Sequence, residues 1–120
     1  MKRDWNLIRT ILLAAEDLPA GGHLNAKDFA WPDHGALVEH VHLLVEEGYI
    51  EAAVRAAGPN GTFVIRRLLW DGHDLLAKMR SEGWWNQMKA LAAKKGVELT
   101  FDVIKSLAMP ALAHLFPTST

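Results

Sequence analysis

A chain of 120 residues, half of them apolar and 22% charged, is about one globular domain and is too apolar to be disordered. It has no cysteine, which excludes disulfide scaffolds, zinc ribbons and thiol nucleophiles. Its net charge is −1: residues 1–48 hold four Lys or Arg against eight acids and residues 49–120 hold nine against six. That balance counts against a simple DNA binder, which needs a basic excess.

The opening Met1-Lys2-Arg3-Asp4-Trp5-Asn6 begins basic, but the apolar stretch behind it is broken by Arg9, Glu16 and Asp17, unlike a secretory signal. No run approaches the roughly 20 apolar residues of a membrane helix, so a soluble, cytoplasmic chain is expected.

A first helix is predicted from about Asp4 to Glu16, capped by Asp4, with Leu7, Ile8, Ile11, Leu12 and Ala15 on one face. Pro19, Gly21 and Gly22 break the chain. Ala26 to Ala30 reads as a short helical turn ended by Trp31-Pro32, because the residue before proline avoids helical angles. A second helix runs from Asp33 or His34 to Glu47. Its stripe is Leu37, Val41, Leu44 and Val45, Asp33 is its cap and Gly48 its stop. Tyr49 to Ala53 and Thr62 to Trp70 read as strands around the turn Gly58-Pro59-Asn60-Gly61.

Asp71 is expected to cap a third helix over about 72–82, with Leu75, Leu76 and Met79 inward and Gly83 as a break. Trp84, Trp85, Met88 and Leu91 open a fourth helix that stops at Gly96. Thr100 caps a last one striped by Val103, Ile104, Leu107, Ala108, Ala111, Leu112 and Leu115 and kinked at Pro110, with a frayed tail from Pro117.

Helix, short helical element, helix and then a two-stranded hairpin with a Gly-rich tip is the order of a winged helix-turn-helix. The expected fold is therefore α+β and mostly helical: a winged-helix core over 1–82, its wing hairpin at about 49–70, and two additional C-terminal helices over 83–120. In such a core Gly48 turns the end of the second helix into the first wing strand by accepting a positive φ.

A helix starting near His34 and lying in a major groove would present His34, Val38, Glu39 and His42 to base edges. The wing would bring Arg55, Asn60 and Thr62 to phosphates, with Arg66 and Arg67 adding positive charge nearby. Asp33 and Glu39 carry the wrong sign for this. A solvated helix face accounts for the same residues. The leading reading is a DNA-binding accessory or regulatory protein of phage or bacterial origin that contacts double-stranded DNA, and a winged-helix scaffold that docks a host or phage protein is the alternative.

His34, His40 and His42 raise the question of a metal, with His23 or Asp28 as further donors. The i+2 spacing of 40 and 42 points them to different faces, and ordinary surface or half-buried histidines are expected instead. Trp70-Asp71-Gly72-His73-Asp74 crowds a histidine between acids, yet a structural account suffices: Trp70 anchors the strand end, Asp71 caps, Gly72 permits a close approach, and His73 packs or hydrogen-bonds. No nucleophile, phosphate loop or carboxylate pair accompanies it, so no catalysis, metal or cofactor is expected. Trp84 and Trp85 point about 100° apart on a helix. With Leu112 and Leu115 they are candidates for a homodimer interface; the other reading is that the C-terminal helices fold back and complete one core.

The segments Lys2-Arg3-Asp4 with Leu7-Ile8-Arg9, His40 to Ala52, Ile65-Arg66-Arg67-Leu68-Leu69-Trp70-Asp71-Gly72-His73-Asp74-Leu75-Leu76, and Phe101 to Ala108 resemble a bacterial and prophage-associated family of unknown function, number 2513 among such domains. The stretch Arg66 to Asp74 is the most specific part, and residues 17–36 match least. The resemblance implies a winged-helix-like fold and a phage or mobile-element setting. It carries over no catalytic residues.

Overall fold

The computed structural model describes residues 2–56, 58–96, 98–102 and 104. Those residues form an α+β architecture of four α-helices and one three-stranded antiparallel sheet. The chain divides into two compact units, residues 1–77 and 78–120, which are taken separately.

In the first unit, α1 (Trp5–Glu16) starts where Asp4 leaves helical angles and its carboxylate accepts the Asn6 and Leu7 backbone N–H groups at 2.9 and 3.2 Å. These are two of the donors that a helix start otherwise leaves unpaired. Leu7, Ile8, Ile11, Leu12 and Ala15 are all buried, as their spacing predicted. Helix α2 (His34–Glu46) is capped in the same way, Asp33 accepting from Ala36 N–H at 3.0 Å.

Helix α2 ends in a two-bond glycine cap. Gly48 takes φ +76, its N–H donates to the Val45 carbonyl (3.0 Å), and Tyr49 N–H donates to Leu44 (2.9 Å). That pairing satisfies two orphan carbonyls, and both Tyr49 and Leu44 are buried.

The sheet comprises β1 (Leu24–Asn25), β2 (Ile50–Arg55) and β3 (Thr62–Leu68), in the order β1-β3-β2. Residues 26–28 make a single 3-10 turn between β1 and α2, shorter than the expected Ala26–Ala30 element. The small strand β1 was not foreseen: two residues are too few for an alternating pattern, and only pairing with Val64 and Ile65 defines it. In the hairpin, Arg55 faces Thr62 and Ala53 faces Val64, with an irregularity at Glu51/Ala52. Phe63 and Ile65 point inward, and α1 and α2 pack on this side. Each fully buried Leu, Ile, Val or Phe here contributes about 1.5–3 kcal/mol.

Two boundaries correct the sequence reading. Helix α3 (Trp70–Arg80) begins before Asp71, because His73 N–H already donates to the Leu69 carbonyl at 2.9 Å. Asp71 therefore lies in the first turn, where its charge favours the helix N-terminus, and β3 stops at Leu68 rather than Trp70. In the second unit Ser81, not Gly83, is the break. Its hydroxyl accepts the Trp84 N–H at 3.3 Å and starts α4 (Glu82–Lys94), with Gly83 inside the first turn. Helix α4 ends at Gly96, φ +69, as expected. Phe101, Asp102 and Ile104 are helical, with Ile104 N–H donating to the Thr100 carbonyl at 2.9 Å, while residue 103 and the expected last helix from residue 105 on lie outside the described residues.

Candidate functional site

The second helix and the hairpin tip were the expected contact surface, and the structure joins them to each other. The tip closes through Ala56 (φ +60), Gly58 (φ +74) and a 3-10 turn over Gly58–Asn60, with Gly61 N–H donating to Gly58 at 3.0 Å. His34 donates its Nε2–H to the Gly61 carbonyl at 2.7 Å. Val38 is fully buried, and a Cβ on Gly61 would stand 2.7 Å from Val38 Cγ1. The tip thus lies on the N-terminal half of α2.

Val38 was expected on the outward face and is inward. At 100° per residue it falls about 60° from Val41, so it belongs to a buried arc of about 160° with Leu37, His40, Val41 and Leu44. The outward strip of α2 carries His42 and Glu46, in an exposed pair at 3.0 Å, and half-buried Glu39. The helix contains no lysine or arginine.

His40 is the residue that the sequence reading misplaced most. It is 1% exposed, not a surface histidine. Its Nε2 accepts the Asp4 backbone N–H at 2.9 Å, and its Nδ1–H donates to the Ala36 carbonyl at 2.7 Å, so both ring nitrogens are used. It ties the start of α1 to α2. The signal was present in the stripe Leu37, His40/Val41, Leu44, which has core spacing.

Two hollows flank this region with opposite charge. The first, about 510 Å³, lies at the N-terminal ends of α1 and α2; Asp4, Asp33 and Glu39 line it with Lys2 and Trp31. The Asp4 and Asp33 carboxylates there are committed to helix caps. The second, about 550 Å³, crosses the outer face of the sheet, with Lys27, Arg55 and Arg66 as its only charged lining residues and Asn25, Ala26, Ala53, Thr62 and Val64 among the rest. None of those three cations has a hydrogen bond or ion pair among the described residues. Lys27 is the functional candidate that the sequence reading omitted, because the register that carries it to Arg55 and Arg66 depends on β1. Arg67, by contrast, is paired with Glu51 at 3.0 Å.

Arg66 also lines a third hollow of about 320 Å³ with Arg67, Glu16 and His73. Beyond His73, at a ring separation of 6.3 Å, stands Trp70. Trp70 was expected to anchor the strand end; instead it is 85% exposed, because starting α3 at this residue turns its side chain outward. Asn60 and Thr62 are exposed at the hairpin tip.

Residues 2–98 match the family described as "Hypothetical protein (DUF2513)". The chain belongs to that family. A Haemophilus influenzae (strain Rd) member, described as an uncharacterized protein, is 35% identical over 116 residues, covering 96% of this chain and 98% of the relative. No solved structure matches significantly.

The family match spans every residue of the sheet and its two hollows. Among the described residues no group of three His, Cys, Asp or Glu side chains is placed to hold a metal ion. None of the described helices is long and apolar enough to cross a membrane. In the second unit Trp84 is buried and Trp85 half-buried, their rings stacked at 6.2 Å. Leu112 and Leu115 lie outside the described residues.

Proposed function

We propose that this chain is a winged-helix scaffold that docks a protein partner in a bacterial or phage setting and performs no chemistry of its own. The scaffold reading is supported by the element order, by a first strand that pairs with the third, and by the glycine cap joining α2 to β2. The observation that carries the docking reading is Trp70, a large apolar side chain 85% exposed against His73, which in turn lines a hollow with Arg66, Arg67 and Glu16. Trp and Arg are the residue types enriched in protein-interface hot spots.

Groove reading by α2 is disfavoured on two counts. The hairpin tip occupies His34 and Val38, and the remaining strip carries Glu39 and Glu46 without a cation to offset phosphate repulsion. The second reading, duplex DNA held by Arg55, Asn60, Thr62 and Arg66, is favoured by the unpaired arginines alone.

A photo-crosslinking amino acid at position 70, installed in the full chain within bacterial cells, separates the two. Adducts that resist nuclease and yield to protease are the expected result. Nuclease-sensitive adducts, or duplex DNA binding in a mobility shift that weakens steeply with salt, refute protein docking in favour of DNA.

A further inference from the structure

We propose that the trough across the outer sheet face binds an extended, acidic segment of the protein partner; this rests on the docking reading above and names where the partner lies and what its chemistry is.

Charge supplies the first argument. The chain as a whole is slightly acidic, yet Lys27, Arg55 and Arg66 converge on one hollow with no carboxylate among its lining residues. Three exposed cations without a partner among the described residues leave a local positive field that suits an outside anion. This is not forced by the fold, since the next arginine, Arg67, is neutralised by Glu51 across the same hairpin.

The floor between the cations decides the kind of anion. Pairing places Asn25, Val64 and Ala53 in one row across the three strands, and Arg55 beside Thr62 in another. Ala26, Ala53 and Val64 give a small, apolar floor that lets a chain approach the sheet closely. Carboxylates alternating with small apolar side chains fit that surface, because an extended strand sends successive side chains to opposite sides. A nucleic-acid strand fits less well. Its phosphates gain nothing from an apolar floor, and the aromatic residue that lines the hollow, Phe63, is 2% exposed and in ring contact with Phe29, so it presents no open ring face for a base. Arg66 borders both this trough and the hollow shared with His73. A segment leaving the trough past Arg66 therefore reaches Trp70, the proposed anchor.

The test is fluorescence anisotropy of a labelled peptide in which Glu and Asp alternate with Ala and Val, titrated with the full chain. A Lys-substituted peptide, single-stranded DNA and duplex DNA are compared with it. Micromolar binding of the acidic peptide, weakened by added salt, is expected. Arg55→Glu and Arg66→Glu should each weaken it roughly tenfold, with thermal unfolding unchanged because both side chains are exposed and unpaired. Lys27→Gln, Arg55→Gln and Arg66→Gln should weaken it in smaller steps.

Absent peptide binding, or binding indifferent to these substitutions, overturns the trough proposal. Tighter binding of either DNA through the same residues overturns it in favour of nucleic acid. Self-association abolished by the same charge reversals overturns it in favour of a second copy, whose acidic α2 strip would be the occupant. Protein adducts at position 70 without peptide binding leave docking standing and remove the trough.

Discussion

Replacing Gly72 with alanine tests how closely α3 is fitted against the rest of its unit. In most helices this change stabilises, since alanine outranks glycine by about 1 kcal/mol. Here an ideal Cβ would overlap the Tyr49 carbonyl oxygen and lie 2.6 Å from Leu68 Cδ1 and 3.0 Å from the Tyr49 carbonyl carbon. Non-bonded carbons rest about 3.5–4.0 Å apart, so the first turn of α3 has to retreat by roughly 1 Å. Overpacking of this kind costs about 1–3 kcal/mol. The retreat also strains the Leu69 N–H bond to the same Tyr49 carbonyl, now 2.9 Å, for about 1 kcal/mol more. After the propensity gain is subtracted, Gly72→Ala should destabilise by about 2 kcal/mol and lower Tm by roughly 8 °C. Urea and thermal unfolding followed by circular dichroism measure both. Gly83→Ala is the internal control: in the first turn of α4 an added Cβ meets nothing within 4 Å, so that variant should gain up to about 1 kcal/mol. If Gly72→Ala proves as stable as the parent while Gly83→Ala behaves as stated, the close approach of α3 to Tyr49 is refuted.

Three further substitutions probe the helix pair and the tip. His40→Leu keeps a buried side chain but leaves the Asp4 N–H without its acceptor, and should lower the urea midpoint by an amount equivalent to about 1–3 kcal/mol; an unchanged midpoint would mean that this bond does not hold α1 to α2. His34→Ala releases the Gly61 carbonyl, at a cost of about 1 kcal/mol, and should speed hydrogen exchange of the Gly61 amide more than that of strand amides. Leu44→Asp puts a carboxylate at a fully buried position and should abolish cooperative unfolding; a folded variant would show that the faces of α2 are wrongly assigned.

What the sequence disclosed and what it hid follow from the range of the interactions involved. Caps and glycine stops are local, so Asp4, Asp33, Gly48 and Gly96 could be read directly, as could the inward stripe of α1. The close approach at Gly72 was also legible, because glycine inside a helix start needs a reason. The start of α3 was misread because Asp71 is a good cap by type, while the deciding bonds run from Leu69 to Tyr49 and from His73 to Leu69. Strand β1 and the place of Lys27 beside Arg55 and Arg66 were hidden because they depend on pairing across about forty residues of sequence. Val38 was hidden for a different reason: α2 is buried from two sides, and a one-stripe reading assigns the second side to solvent, whereas His40 has core spacing and was passed over for its polar type.

That two-sided burial bears on which surface we propose for docking. A recognition helix has to leave its N-terminal half bare, yet here that half is covered by the hairpin tip through His34, Gly35 and Val38. Tip and helix hold each other: Gly61 has no side chain because Val38 fills the space, and His34 is turned toward its carbonyl. Freeing α2 for a groove would give up the Gly61 bond and expose Val38, and the strip it would offer is acidic. The sheet face bears no such cost. Arg55 and Arg66 stand in solvent without partners among the described residues, and Trp70 is exposed beyond His73, so the proposed partner would gain the arginine contacts without breaking bonds that the fold has made.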